Sequence, residues 1–195
     1  MITVYVPRDA AALSVGADEV ASAIAAEAKK LNKPVKIVRN GSRGMLYLEP
    51  LVEVETPQGR VAYGPVSTKD VADLFKAGFL DGKSHKLGHG LTEDIPYFKN
   101  QERLTFARCG ITDPLSIEDY MKHDGFKGLK NAIEMKPIDI VTAVTTSGLR
   151  GRGGAGFPTG IKWKTVHDLA GEQKYVACNA DEGDSGTFAD RMLME

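Results

Sequence analysis

The amino-terminal part of the chain shows both of the hydrophobic periodicities that regular structure requires. Residues 2–6 alternate apolar and polar positions, which predicts a strand. Residues 16–31 carry apolar side chains at helical spacing, which predicts a helix. Short apolar runs at 35–38, 45–48 and 51–55 predict further strands.

A turn and a second helix complete this part of the chain. The T-P-Q-G stretch at 56–59 predicts a turn, after which residues 60–63 return as a hairpin partner. Ser67 and Asp70 have the spacing of a capping box, and Gly78 is placed to end the helix that follows. The elements together predict an α/β domain with a mixed sheet over residues 1–80.

The rest of the chain is predicted to be mainly helical. Residues 81–90 are rich in glycine and polar side chains, which is typical of a linker. A short helix is predicted to begin at Ser116, a second covers 126–135, and a third runs from Pro137 to Gly148. Proline suits the first turn of a helix and glycine suits its end.

Composition excludes several classes of function. A net charge of −1 argues against a general nucleic-acid binder, and no apolar run reaches the roughly 20 residues of a membrane span. The amino terminus lacks the pattern of a secretion signal. Cys109 and Cys178 lack metal-ligand spacing, so we expect two reduced cysteines in a cytoplasmic protein. His85 and His89 are four residues apart, but flanking glycines and the lack of a third ligand argue against a metal site.

The glycine-rich segment S-G-L-R-G-R-G-G-A-G-F-P-T-G-I-K-W, residues 147–163, is the main candidate for chemistry. Its Gly151, Gly153 and Gly156 satisfy G-x-G-x-x-G, but the segment follows a predicted helix and Pro158 interrupts it, unlike a Rossmann start. It is not a P-loop either, because Phe157 stands where a P-loop has lysine. Glycine leaves backbone amides open to close approach. With Arg150, Arg152 and Lys162 nearby, the loop predicts a site for a flat, phosphorylated ligand. Phe157 and Trp163 either stack on that ligand or pack in a core.

A second polar segment follows a short apolar run. Residues 174–178 predict a buried strand, and N-A-D-E-G-D-S-G-T at 179–187 follows it. Ligands in α/β proteins often bind beyond the carboxyl ends of strands, where Asn179 and the carboxylates can hydrogen-bond a ring or a ribose. The alternative is a turn that caps a helix predicted at 189–195.

Residues 41–57, G-S-R-G-M-L-Y-L-E-P-L-V-E-V-E-T-P, resemble the cluster-binding loop of thioredoxin-like [2Fe–2S] ferredoxin domains. That family carries C-x-x-x-C in this loop, and Ser42 and Leu46 occupy those places here. Thiolates are the ligands that such clusters need, so we predict a domain without iron–sulfur ligands that serves packing or docking. An unrelated small α/β domain is the alternative.

The segments S-G-L-R-G-R-G-G-A-G-F-P-T-G-x-K-W and K-Y-x-x-C-N-A-D-E resemble the flavin subunit of the NADH dehydrogenase family. This family includes the 51-kDa-type respiratory subunit and the diaphorase subunits of formate dehydrogenases and hydrogenases. The resemblance implies FMN and NAD(H) as cofactors, with hydride chemistry carried by the cofactors and no catalytic side chain. The cofactor-binding residues that it implies are Gly151, Arg152, Gly153, Gly154, Gly156, Phe157, Lys162, Asn179, Asp181, Glu182 and Asp184.

Within this set the resemblance gives each group a role. Gly151, Arg152, Gly153 and Lys162 surround FMN, and Phe157 stacks on the adenine of NAD(H). The nicotinamide lies near Gly153 and Gly154, Asn179 and Asp181 hydrogen-bond the flavin, and Glu182 lines the same cleft.

Two departures from the family concern the nucleotide. Respiratory members usually have glutamate where this chain has Asp184, and an aromatic residue where it has Lys164 and Thr165. The Asp184 form, with a degenerate ferredoxin domain, looks more like formate dehydrogenase and hydrogenase diaphorase subunits. We therefore expect weaker adenine stacking, or stacking supplied elsewhere.

The predicted organisation is a thioredoxin-like domain at 1–80, a linker at 81–96 and the amino-terminal part of an FMN/NAD(H)-binding domain at 97–195. The family continues with more of the flavin domain and a [4Fe–4S] region, so we expect a part of a longer subunit and no metal ligands within 1–195.

The leading hypothesis is the β (diaphorase) subunit of a soluble NAD-dependent formate dehydrogenase, which passes electrons between iron–sulfur clusters and NAD⁺ through FMN. Its expected partners are a molybdenum- or tungsten-containing catalytic subunit and a small [2Fe–2S] subunit. The alternatives are a hydrogenase diaphorase subunit, a respiratory flavin subunit and a non-catalytic assembly module.

Overall fold

A computed structural model describes residues 1–171 and 173–195, which fold into two compact units. One unit comprises residues 1–123 with 180–195, and the other comprises residues 124–179. No helix in these described ranges is both long enough and apolar enough to cross a membrane.

A five-stranded mixed sheet organises the first unit. Its strands are β1 (Ile2–Tyr5), β2 (Val35–Val38), β3 (Val52–Thr56), β4 (Gly59–Tyr63) and β5 (Gly88–Leu91). Their spatial order is β2-β1-β3-β4-β5; β1 and β2 are parallel, and the other neighbours are antiparallel. The predicted α/β class with a mixed sheet is confirmed, and a β-α-β unit followed by a hairpin is the arrangement of a thioredoxin-like domain.

Three helices complete the main core of this unit. They are α1 (Ala10–Ser14), α2 (Ala17–Lys30) and α3 (Val71–Ala77). Val4 of β1, Ile24 of α2, Leu74 of α3 and the neighbouring Phe79 are fully buried in one cluster. The helical spacing of α2 and the alternation of β1 bring these side chains to a common side, so burial accounts for both patterns.

A second cluster packs around the segment between β2 and β3. It contains Met45, Leu48, Leu51, Ala62, Ile95 and Phe98. Ala62 belongs to this cluster, whereas its neighbour Tyr63 belongs to the main core, because successive strand residues point to opposite faces. Phe98 lies on α4 (Pro96–Lys99), so residues beyond position 80 also contribute to the packing of the sheet.

Three sequence predictions about strands were wrong. Residues 45–48 were predicted as a strand, but Leu46–Leu48 form a 3₁₀ turn, since β2 and β3 already occupy both edges of β1. Residues 88–91, inside the predicted linker, form β5 because the outer edge of β4 is open to pairing. Residues 174–178 are irregular instead of a buried strand, and Val176 is completely exposed. A strand needs a pairing partner, and no described strand lies beside this segment.

The remaining helices agree more closely with prediction, apart from the helix that begins just after Pro158, which was not predicted. They are α5 (Ile117–Lys122), α6 (Lys127–Ala132), α7 (Pro137–Thr146), α8 (Thr159–Asp168) and α9 (Ala189–Met194). Ser116 caps α5 by accepting a hydrogen bond from the Asp119 amide at 3.1 Å. Pro137 opens α7 as predicted, and Gly148 follows it with a φ of 69°.

Candidate cofactor site

The glycine loop connects α7 to α8, and backbone hydrogen bonds join its two ends. The Gly151 amide donates to the Phe157 carbonyl at 2.8 Å, and the Thr159 amide donates to the Leu149 carbonyl at 2.9 Å. At the start of α8, Gly160 is buried; a Cβ there would lie 2.7 Å from the Cα of Thr145 on α7. Gly160 therefore allows the close approach of the two helices that carry the loop.

The inner glycines have no such packing role. A Cβ added to Gly153, Gly154 or Gly156 would have no atom within 4 Å, and Gly156 has a left-handed φ of 53°. Among the described residues, the main-chain amides of residues 152–155 donate no hydrogen bond. Such open consecutive amides can approach an anion or lie against a ring.

The cations around the loop divide into two kinds. The Nε of Arg150 donates to the Gly156 carbonyl at 2.8 Å, so this side chain braces the loop from within. Arg152 and Lys162 form no ion pair with any described residue, which leaves two exposed positive charges beside the open amides. The sequence placed all three cations near the loop, but nothing in their spacing identified Arg150 as the brace.

The two aromatic side chains of the segment are half-exposed. Phe157 is 45% exposed and Trp163 is 47% exposed, so neither is a core residue of the described structure. The Lys162 Nζ lies 5.7 Å from the centroid of the Phe157 ring. A ring face and a cation are thus available side by side, as a flat ligand with a phosphate requires.

The boundary between the two compact units falls within the acidic segment. Asn179 is the last residue of the 124–179 unit, and Asp181, Glu182 and Asp184 belong to the other unit. Glu182 caps α9, since its carboxylate accepts hydrogen bonds from the amides of Asp190 at 2.9 Å and Arg191 at 3.2 Å. The Asp184 carbonyl accepts from the Thr187 amide in a turn. The alternative prediction that this segment caps a helix therefore holds at Glu182.

The structure thus brings together the part of the predicted site that lies between α7 and α8. Gly151, Gly153, Gly154 and Gly156 share one loop with Arg152, and Phe157 and Lys162 follow it. Open amides, free cations and a half-exposed ring fit the phosphate and ring system that FMN would present. Asn179, Asp181, Glu182 and Asp184 lie outside this loop.

The histidines and cysteines have other partners. The Nδ1 of His85 accepts from the Leu87 amide, and its Nε2 lies 3.1 Å from Asp73. His89 contacts the Gly64 carbonyl instead. Within the described residues, no group of three potential metal ligands is arranged around a common point. Burial raises the pKa of the Cys109 thiol, and Cys178 is exposed.

The loop that resembles a ferredoxin cluster site is closed by its own hydrogen bonds. Ser42 Oγ donates to Glu49 Oε1 at 2.8 Å and accepts from the Gly44 amide at 2.9 Å. The other Glu49 oxygen accepts from the Leu51 amide at 2.8 Å. Burial raises the pKa of Glu49 to about 7, with smaller contributions from the nearby carboxylates of Asp9 and Glu53.

Comparisons with known proteins match the part of the chain that contains the glycine loop. Residues 144–195 match the family described as the Nuo51 FMN-binding domain. The chain is 50% identical over 97 residues to the NADP-reducing hydrogenase subunit HndC of Solidesulfovibrio fructosivorans, which covers 50% of this chain and 20% of that protein. It is also 50% identical over 95 residues to an NADH-quinone oxidoreductase subunit of Rhizobium meliloti, covering 48% and 23%.

Solved structures resemble the chain more distantly. The thioredoxin-like [2Fe–2S] ferredoxin from Aquifex aeolicus has a TM-score of 0.39 at 22% identity, covering 46% of this chain and 97% of the ferredoxin chain. An NAD⁺-reducing [NiFe]-hydrogenase has a TM-score of 0.36 at 20% identity, covering 98% of this chain and 32% of the hydrogenase chain.

The chain spans between a fifth and a quarter of the length of these two curated relatives. The predicted closeness to formate dehydrogenase subunits stays a prediction. The broader resemblance to NADH dehydrogenase and hydrogenase subunits is confirmed. Residues 144–195 match the Nuo51 FMN-binding domain, and the proteins similar to this chain include hydrogenase and NADH-quinone oxidoreductase subunits.

Proposed function

We propose that this chain contributes the glycine-rich part of an FMN and NAD(H) site in a diaphorase-type oxidoreductase subunit. The observation that carries the proposal is the run of open amides at residues 152–155 beside the exposed charges of Arg152 and Lys162. The match of residues 144–195 to an FMN-binding domain family supports the same ligand.

Each part of the loop has a chemical role in this proposal. The cofactor can approach the open amides closely, because Gly153 and Gly154 have no side chain that would stand between the backbone and the ligand. Arg152 and Lys162 balance the negative charge of the phosphate. Phe157 offers a ring face for the adenine of NAD(H), and the Arg150 brace preserves the shape of the loop before any ligand binds.

FMN would supply the hydride and electron chemistry when bound, so the protein residues bind and orient. We propose that Asn179 and Asp181 hydrogen-bond the flavin and that Asp184 contacts the nucleotide, as the family resemblance implies. In the described structure both carboxylate oxygens of Glu182 cap α9; that Glu182 also lines the cofactor cleft is what the family resemblance implies.

The relatives bear on which complex this subunit serves. Hydrogenase and NADH-quinone oxidoreductase subunits are among the similar proteins, including the NAD-reducing hydrogenase HoxS subunit alpha of Cupriavidus necator at 53% identity over 66 residues. They favour the hydrogenase or NADH dehydrogenase alternative over the formate dehydrogenase that we first expected. In the formate dehydrogenase version, a molybdenum or tungsten subunit and a small [2Fe–2S] subunit would be the partners.

The wider organisation follows the family in this proposal. Residues 1–80 form a thioredoxin-like domain whose sheet extends through β5 into the predicted linker at 81–96, and residues 97–195 begin the FMN/NAD(H)-binding domain. A [4Fe–4S] region would lie in further sequence, and the subunit would work in the cytoplasm.

FMN titration of the 195-residue chain tests this function. We expect Lys162→Ala to weaken FMN binding at least fivefold, because it removes a free positive charge beside the loop. Lys164→Ala is the matched control, since Lys164 lies on the same helix but pairs with Asp168. Equal effects of the two substitutions would contradict the role of Lys162.

A docking function is a second candidate for the first unit. Buried Glu53 binds Arg43 at 2.8 Å, and Asn40 and Arg60 donate to the carbonyl of Gly110. These contacts hold residues near 110 against the sheet, next to the loop at 41–57 that resembles a cluster site. If the chain binds no FMN yet folds, and associates with hydrogenase or dehydrogenase subunits, this assembly role is the better account.

A further inference from the structure

A small cavity lies in the first unit. Its volume is about 210 Å³, and Arg43, Glu93, Phe98, Gln101, Arg103 and Cys109 are among the residues that line it. The proposed flavin function uses none of these residues. The cavity combines two guanidinium groups with an aromatic ring and a thiol, which is an unusual set for a packing defect.

The two arginines differ in how their charge is balanced. Arg43 binds Glu53 and Glu93, each at 2.8 Å. Arg103 forms no ion pair with any described residue, although its Nη2 donates to the Arg43 carbonyl at 3.1 Å. The Arg103 Nε is buried without a hydrogen-bond acceptor in the described structure. A buried donor of this kind is costly unless something accepts its hydrogen bond.

Neighbouring side chains hold Arg103 in place. Its guanidinium carbon lies 4.9 Å from the centroid of Phe98, and that of Arg43 lies 5.7 Å from the same centroid. The Arg103 charge also reaches Cys109, because it opposes the effect of burial on the pKa of that thiol. The guanidinium of Arg103 is therefore held beside the cavity by stacking, and it has no ion pair of its own with a described residue.

We propose that this cavity binds a tetrahedral oxyanion, either free phosphate or the phosphoryl group of a small metabolite, on the side chain of Arg103. A planar guanidinium presents paired N–H donors that match phosphate oxygens. Cys109 and Gln101 also line the cavity; the Cys109 thiol donates to the Met192 carbonyl at 3.4 Å, and the Gln101 side-chain amide donates to the Tyr97 carbonyl at 2.6 Å. This inference is independent of FMN.

Calorimetric titration of the 195-residue chain with inorganic phosphate, at constant ionic strength in chloride, measures the binding. We expect Arg103→Gln to weaken phosphate binding at least tenfold and Arg103→Lys about threefold, since lysine keeps the charge but loses the fork. Lys99→Gln removes the same charge from a nearby exposed residue that pairs with Asp94, and we expect it to bind as the unaltered chain does. No phosphate binding, or equal losses in Arg103→Gln and Lys99→Gln, would overturn the proposal.

A local readout in the unaltered cavity covers the case in which Arg103→Gln fails to fold. In a Cys178→Ser background, saturating phosphate should slow alkylation of Cys109 by neutral iodoacetamide about tenfold relative to chloride. Protection by AMP at lower concentration than phosphate would identify a phosphoryl metabolite as the source, whereas protection by phosphate alone would identify the free ion. An alkylation rate that none of these anions changes would overturn the site.

Discussion

At the scale of single residues, polar side chains with defined hydrogen-bond partners hold the shape of two loops. Arg150 braces the glycine loop through the Gly156 carbonyl, and Glu49 closes the loop at 42–51 through Ser42 and the Leu51 amide. The sequence identified the residue types near both loops. It could not identify the partners, because a hydrogen bond between side chain and backbone depends on the path of the folded chain.

Protonation of Glu49 predicts a dependence of stability on pH. Its pKa rises from 4.5 to about 7 on folding, mainly because burial disfavours the charged carboxylate. The folded state thus holds the proton more tightly, so this group's contribution is fully present below pH 4.5 and is lost as the pH rises to about 7. The loss is on the order of 3 kcal/mol.

Urea unfolding at pH 5 and pH 8 measures this effect. Glu49→Gln keeps hydrogen-bonding atoms but cannot titrate, so we expect the variant to lose less free energy of unfolding than the unaltered chain between the two pH values. Glu19→Gln, at an exposed position on α2, serves as the control. The same pH dependence in all three proteins would show that Glu49 does not titrate as described.

The Arg150 brace gives a prediction for ligand binding. Arg150→Met removes one hydrogen bond of the loop, typically about 1 kcal/mol, and should weaken FMN binding about fivefold. Amide signals of residues 152–157 in a ¹H–¹⁵N spectrum should also shift before FMN is added. An unchanged spectrum and unchanged affinity would mean that the loop keeps its shape without Arg150.

At the scale of elements, helices were easier to predict than strands. Ser116 caps α5, Pro137 opens α7 and Gly148 follows it, because these signals act on the neighbouring backbone. The strands depended on distant partners. Residues 88–91 form β5 since β4 has an open edge, whereas the apolar run at 174–178 has no partner strand in the described chain.

Two glycine-to-alanine substitutions are expected to have opposite effects, one at the contact between α7 and α8 and the other at an open position on α6. Gly160→Ala should lower the free energy of unfolding by about 1–3 kcal/mol, because its Cβ would overlap the Cα of Thr145. Gly128→Ala on α6 should raise it by up to about 1 kcal/mol, since nothing lies within 4 Å of the added methyl. Thermal and urea unfolding give both values; stabilisation by Gly160→Ala would contradict the close packing.

At the scale of the whole molecule, each of the two compact units carries one loop of interest. In the first unit, a loop with cluster-like sequence is closed by Ser42 and Glu49 and anchors residues near Gly110 through Asn40. In the second, the inner glycines keep the loop between α7 and α8 free of side chains. The sequence predicted the glycine loop and its ligand class through motif resemblance. It could not predict the hydrogen bonds from Asn40 and Arg60 to the Gly110 carbonyl, because these depend on the folded path of the chain.

The central claim is that the open amides at residues 152–155 receive FMN. A ¹H–¹⁵N spectrum of the 195-residue chain, recorded during titration with FMN, tests it most directly. We predict that the amide signals of Gly153 and Gly154 shift with saturation, while those of residues 42–51 stay in place. Absence of any FMN-dependent shift, or shifts that leave Gly153 and Gly154 unaffected, would contradict this account.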